Sequence, residues 1–255
     1  MNRKLLLSFA YCIAFVAFQG CDDDDDNVNK PTPTAAEWDY ENADAWGTIG
    51  YTDCAGKVQS PINIDTETTI KSTLPELQPA YKSSTWGVVD NGHTIQVNLK
   101  QTNKMVLNGT TYKVMQFHFH HKSEHTIDGG AYDMEMHIVH QDTVTNNLVV
   151  VGIFLKEGST NTFLEKIWSA IPNETNKEVV STESIDLVAA LPANLKYYTY
   201  TGSLTTPPCS QGIDWVVLKE PMEISAEQIE KFSSIHENNA RPTQPLNNRQ
   251  VIEGI

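Results

Sequence analysis

Gln116-Phe-His-Phe-His-His121 is the densest run of imidazoles in the chain. Side chains alternate faces along an extended strand, so His118 and His120 point the same way and can reach one ion. A third ligand must come from elsewhere. Met134-Glu-Met-His-Ile-Val-His140 reads as a second alternating strand and offers His137 or His140. Between the two runs Asp128-Gly-Gly130 breaks the chain and lets them lie side by side. Cross-strand neighbours are then about 5 Å apart, a spacing that suits three ligands each about 2 Å from one metal. Three neutral nitrogens with the fourth position open describe catalytic zinc, whereas structural zinc is usually closed and rich in thiolates. Gln116 lies two residues before His118, and Glu135 two before His137. Each is a candidate to hold the second ring N–H of the histidine on its face.

The elements that must position these groups are mostly short strands. The chain has 255 residues, 40% hydrophobic and 20% charged, enough for one domain with an ordinary core. Globular text starts near Trp38. Ile95, Val97 and Leu99 alternate after the turn Asp90-Asn91-Gly92. Asn108-Gly109 predicts a hairpin between Lys104–Leu107 and Tyr112–His120. Leu148–Leu155 and Trp215–Leu218 are continuous apolar runs, as expected of buried central strands. Helical patterns are fewer, over Asn161–Ser169, Ile185–Ala190 and Ala226–Glu237. The expected class is mainly β (α+β), one sheet-dominated domain with short peripheral helices.

The first residues read as an export signal. Arg3 and Lys4 precede an apolar stretch from Leu5 to Phe18, too short to span a membrane comfortably. Cys21, placed just after Gln19-Gly20, resembles the lipidated cysteine of bacterial lipoproteins. Asp22 to Asp26 and the proline-bearing stretch beyond them read as a solvated tether. The expected division is a signal peptide over 1–20, a tether over 21–36 and a catalytic domain over 37–255. The mature protein is placed in a bacterial periplasm or on the cell surface, touching the membrane only through a lipid on Cys21. Cys54 and Cys209 remain, and in an oxidising compartment such a pair is expected to form a disulfide. A formal net charge of -14 argues against nucleic-acid binding. Neither His-Glu-x-x-His nor Gly-x-Ser-x-Gly occurs, which argues against a zincin-type protease and a serine hydrolase.

Several segments together resemble the alpha-class carbonic anhydrases. They are Gln59-Ser-Pro-Ile-Asn63, Asn91-Gly-His93, Gln116-Phe-His-Phe-His120, Ser123-Glu-His-Thr126, Glu135-Met-His137, Gly152-Ile-Phe-Leu-Lys156, Ser203-Leu-Thr-Thr-Pro-Pro208 and Arg241-Pro-Thr-Gln-Pro245. They follow the family order from about Trp38 to Val251. The resemblance implies a large twisted, mainly antiparallel sheet and hydration of carbon dioxide to bicarbonate by zinc-bound hydroxide. It implies His118, His120 and His137 as zinc ligands, with Gln116 and Glu135 behind them. Thr205 matches the hydroxyl that orients the nucleophile, Glu124 the carboxylate that takes its proton, and Thr206 a second site hydroxyl. His93 matches the proton shuttle. Val139, Val150, Leu204 and Trp215 match the apolar wall for carbon dioxide. His125 matches a structural position, and Cys54 with Cys209 the disulfide of secreted members. Sulfonamides and anions are the implied inhibitors, and a monomer or homodimer the implied assembly. The sequence departs from the animal forms in the short His121-Lys122-Ser123 loop and in Thr201, which stands where proline is common. Some relatives have lost a zinc ligand and act as binding or adhesion modules. Here all three histidines, Thr205 and Glu124 are present, which favours an enzyme.

Overall fold

A computed structural model describes residues 36–255. The expected signal peptide, the lipid candidate Cys21 and the tether as far as residue 35 lie outside the described residues.

Seven strands carry the site: β1 (Ser84–Asp90), β2 (Ile95–Leu99), β3 (Thr110–His121), β4 (Met134–Asp142), β5 (Leu148–Glu157), β6 (Tyr197–Ser203) and β7 (Gln211–Leu218). They lie in one sheet in the order β1-β2-β3-β4-β5-β7-β6. Val179–Ile185 extends it beyond β1, and Ile252–Gly254 followed by Ile70–Ser72 extends it beyond β6. Pairing from β1 to β5 is antiparallel, while β5 and β7 run parallel. The expected mainly antiparallel sheet is what forms. At the predicted hairpin, Asn108 and Gly109 both take positive φ, 50° and 78°, as a tight two-residue turn requires.

Alternation along the central strands makes two cores. Phe117 and Phe119 of β3, Met134, Met136 and Ile138 of β4, and Val149, Val151 and Ile153 of β5 face one way, into the main core. Two helices cover that face. In α1 (Thr162–Ser169) the Asn161 side chain caps the first turn, and Phe163, Leu164, Ile167 and Trp168 are buried. A capping box of Ser225 and Gln228 starts α2 (Ala226–Ser233), which buries Phe232. The Phe119 ring meets Trp168 at 4.7 Å and Phe232 at 6.3 Å. The other face of the same strands carries Gln116, His118, His120, Glu135, His137 and Val139. One period-2 pattern therefore fixes both the core and the polar site.

Two helical expectations change. Over Ile185–Ala190 the structure has a strand ending at Ile185 and a short 3-10 turn, Leu187–Ala190, started by the Asp186 side chain. Ile185 pairs with Ser84 and is buried in the sheet core, so pairing overrides the helical spacing. α2 ends at Ser233 rather than Glu237. The Ser233 and Ser234 hydroxyls bond back to the carbonyls of Glu230 and Lys231, competing with continuation of the helix.

His140, one of the two candidate third ligands, lies on the main-core face. Its Nδ1 is 2.9 Å from the Ile138 carbonyl and its Nε2 2.8 Å from the Tyr81 hydroxyl. These bonds suit a neutral ring that donates at Nδ1 and accepts at Nε2. Burial pulls its pKa down to about 4. The unfolded chain takes up this proton from about pH 6.5 downward, while the folded chain does not until about pH 4. Stability is therefore lost as pH falls through that window. We expect metal-free protein to lose about 3 kcal/mol more between pH 7 and pH 4 than its His140→Gln variant. Urea midpoints at the two pH values measure the difference, and equal losses would remove the assignment.

Candidate metal centre

His118 and His137 are direct partners across β3 and β4, and His120 follows two residues along β3. Their ligand atoms lie within 4.8 Å of one another. Each ring has one nitrogen already engaged. His118 Nδ1 meets Gln116 Oε1 at 2.9 Å, His120 Nδ1 meets the Asn239 carbonyl at 2.7 Å, and His137 Nε2 meets Glu135 Oε1 at 2.9 Å. The engaged nitrogen donates to its acceptor, which leaves the other to present a lone pair. Among the described residues, His120 Nε2 is buried with no partner. An orphaned acceptor inside a protein is costly unless something binds it. Three such nitrogens facing one point fit a metal of tetrahedral preference with its fourth position open.

The electrostatics favour neutral ligands on β3. Burial, reinforced by the neighbouring rings, holds His118 well below the usual histidine range and pulls His120 down to about 3. Burial also lowers His137, but Glu135 and Glu124 outweigh it and raise the ring overall. Burial pushes Glu135 up, yet His125 and His137 together hold it well below the carboxylate range. Its oxygens accept four hydrogen bonds. Oε2 receives the backbone N–H of Glu124 and of His125 at 2.9 and 2.8 Å, and Oε1 receives His125 Nδ1 and His137 Nε2 at 2.8 and 2.9 Å. Gly152 of β5, opposite His137, leaves room for that carboxylate, since a Cβ there would sit 2.9 Å from Glu135 Oε1.

Glu124 lies beside the ligands, Oε1 3.4 Å from His120 Nδ1 and Oε2 3.8 Å from His137 Nδ1. Its Oε1 accepts the Arg241 backbone N–H at 2.8 Å, while Oε2 has no partner. Burial lifts its pKa to about 7 against the opposing pull of His137, the Arg241 N–H and Thr205. A bound cation would favour the ionised form. Thr205 is buried on the loop that follows β6, and Thr206 beside it is half-buried. Cys54–Cys209 is a disulfide with Cα atoms 4.9 Å apart, and it ties this loop to the start of the domain.

Val139, Val150 and Trp215 share one buried apolar cluster with Leu204 packed on it. The Trp215 ring lies 4.8 Å from His137, so this wall adjoins the ligands. His93 sits apart from the triad. Its ring lies flat on Trp38, centroids 3.8 Å apart and planes 7° apart. His125 joins the supporting network, its Nε2 2.7 Å from the Tyr200 hydroxyl.

Sequence reasoning gave no role to Tyr40, Asn239 or the Arg241 side chain. The Tyr40 hydroxyl is buried, lacks a partner and feels the Glu124 charge. Arg241 is buried over the Trp46 ring and donates to Gln59 Oε1, Ser60 O and Cys54 O. Each acts through partners more than a hundred residues away in sequence or through a burial that its residue type does not announce. The Arg241-Pro-Thr-Gln-Pro245 segment was the one available signal.

The family model described as eukaryotic-type carbonic anhydrase matches residues 41–255. A carbonic anhydrase of Klebsiella pneumoniae is 41% identical over 231 residues, covering 87% of this chain and 93% of that protein. One from Nostoc is 37% identical over 265 residues, covering 100% and 98%. The solved alpha-carbonic anhydrase of Thermovibrio ammonificans, in complex with the inhibitor sulfanilamide, superposes with a TM-score of 0.83 at 43% identity, covering 86% of this chain and 99% of that one. A family match across most of the chain, on a fold that superposes with a solved member, means that this protein belongs to the alpha, or eukaryotic-type, carbonic anhydrases, enzymes that hydrate carbon dioxide.

Proposed function

We propose that the chain performs this hydration at a zinc ion held by His118 Nε2, His120 Nε2 and His137 Nδ1. The observation that carries the reading is the convergence of three ring nitrogens, each left free because its partner nitrogen is engaged elsewhere. When bound, zinc lowers the pKa of a coordinated water to about 7, a value known for carbonic anhydrase, and so supplies a nucleophile at neutral pH. The chain's own residues do the rest. The Thr205 hydroxyl would accept a hydrogen bond from such a nucleophile and donate its own proton toward Glu124 Oε2, an oxygen with no other partner among the described residues. Thr206 offers a second hydroxyl at the mouth. Val139, Val150, Leu204 and Trp215 form a dry wall where a small apolar substrate needs proximity more than tight binding. His93 then carries the released proton toward bulk water, as an imidazole can near neutral pH; burial, with a smaller contribution from His236, lowers its pKa against the pull of Asp90 and favours release over storage. Sulfonamides and anions compete for the open metal position.

Stopped-flow carbon dioxide hydration, with zinc counted in the same sample, tests the reading. Fast hydration with about one zinc per chain, abolished by a chelator, supports it. Bound zinc without hydration would point to a binding module instead. We expect His93→Ala to keep zinc and kcat/KM while kcat falls about tenfold or more in weak buffer, and added imidazole to restore part of the loss. Unchanged kcat would remove the shuttle role.

The leader motif supports export and a lipid on Cys21. Cys21→Ser is expected to move the protein from the membrane to the soluble fraction of cells. A variant that still sediments with membranes would overturn lipid anchoring.

A further inference from the structure

The turn that carries His93 is fastened by the segment that follows α2. Asp90 ends β1, and its Oδ1 accepts the Gly92 backbone N–H at 2.9 Å. The same oxygen lies 3.0 Å from His236 Nε2. Asn91 Oδ1 accepts the backbone N–H groups of His93 and Thr94 at 3.0 and 2.9 Å. Three residues beyond His236, Asn239 Nδ2 donates to the His93 carbonyl at 3.1 Å. The Asn239 main-chain carbonyl in turn holds the ligand His120. His236 is itself held by α2, its backbone N–H bonded to Phe232 O at 3.0 Å and its ring 5.9 Å from the Phe232 ring.

We propose that His236, held on Asp90, is a positioning residue for proton release, fixing the turn that carries the shuttle His93. The inference rests on the shuttle reading above. No residue of the metal triad touches this pair. His236 and Asp90 are the charged groups that act on the His93 ring from the elements around it, and Trp38 covers the ring's flat side. His236 meets the Asp90 carboxylate and the His93 turn on one side and the apolar Phe232 ring on the other. Burial discourages a proton from staying on His93, His236 adds to that effect, and Asp90 partly offsets it. Such an arrangement favours handing the proton on to water over storing it.

His236→Gln keeps an N–H for Asp90 and removes the imidazole, whereas His236→Arg places a permanent cation there. Each is compared with the parent zinc enzyme and with His93→Ala. The readouts are kcat in weak buffer, kcat/KM, and the pH at which kcat turns. In the Gln variant we expect the turning pH to rise by a few tenths and kcat in weak buffer near pH 7 to fall two- to fivefold. Its kcat/KM should match the parent. In the Arg variant the turning pH should stay at the parent's or fall below it. Equal turning pH in the Gln variant and the parent would overturn the inference, as would a shift in the same direction for both variants. A normal kcat in His93→Ala would instead remove the shuttle reading beneath it. Parental kcat/KM shows that each variant is folded around an intact metal site.

Discussion

His120→Ala is expected to leave the purified chain without stoichiometric zinc and to reduce carbon dioxide hydration by about three orders of magnitude or more. The scale follows from what the metal supplies. Without it, water ionises far above neutral pH instead of at about 7, so the nucleophile nearly vanishes at neutral pH. His120 is the most constraining ligand to remove. It is fully buried, its Nδ1 is fixed on the Asn239 carbonyl, and its Nε2 has no partner among the described residues. The two nitrogens left behind fall one short of the three protein ligands that a catalytic zinc site uses. His121→Ala, one residue along, is the control. That half-buried ring lies outside the triad, with Nδ1 on the Glu237 carbonyl, and its loss should leave zinc and turnover near the parent's. Zinc counting and stopped-flow hydration on the two variants check the contrast. One zinc per chain in His120→Ala would refute the ligand assignment.

The pairing of His118 with His120 was legible because strand periodicity is strict. A slip of one residue would have put both rings under the helices in place of Phe117 and Phe119. The third ligand was not decided by that rule. His137 and His140 lie three apart, so only one can face the metal, and which one depends on the register of β4 against β3. His137 falls opposite His118, and a bulge follows between Val139 and His140. Register is a tertiary fact, and here the family resemblance supplied it. The helix of Ile185–Ala190 misled because a run of apolar residues serves a strand end and a 3-10 turn as well as a helix. Asn239 stayed invisible for another reason. Its side chain holds the His121 N–H, the His93 carbonyl and the Phe119 carbonyl, and its main chain holds His120. None of those partners lies within a hundred residues of it, so no local pattern could reveal the hub. Stretches such as Gln59-Ser-Pro-Ile-Asn63 fall in the same class. They read as polar loop, yet Gln59 and Ser60 are buried supports of Arg241 and of the loop bearing Thr205.

Replacing both Cys54 and Cys209 by serine is the second large effect expected, and it acts on stability first. The bond closes a loop of 155 residues, and the cost of that closure is carried by the unfolded chain when the link is present. Removing a native disulfide typically costs about 2–5 kcal/mol. In a domain of this size each kcal/mol moves Tm by about 2–4 °C, so a loss on the order of 10 °C is expected. The local consequence is separable. Gln59 Nε2 donates to the Cys209 carbonyl, and the Cys209 N–H bonds Thr206 O, so the Thr205–Thr206 loop keeps part of its support without the bond. The three ligand histidines sit on β3 and β4, and neither strand carries a disulfide cysteine. Well below Tm, the double variant should therefore hold one zinc per chain with hydration reduced only a few-fold. Thermal melting in parallel with zinc counting checks both halves. An unchanged Tm would mean that the hydrogen bonds around Arg241 already hold the domain's start in place. Loss of zinc at low temperature would mean that the Thr205 loop, rather than the strand pair, keeps the metal centre in shape.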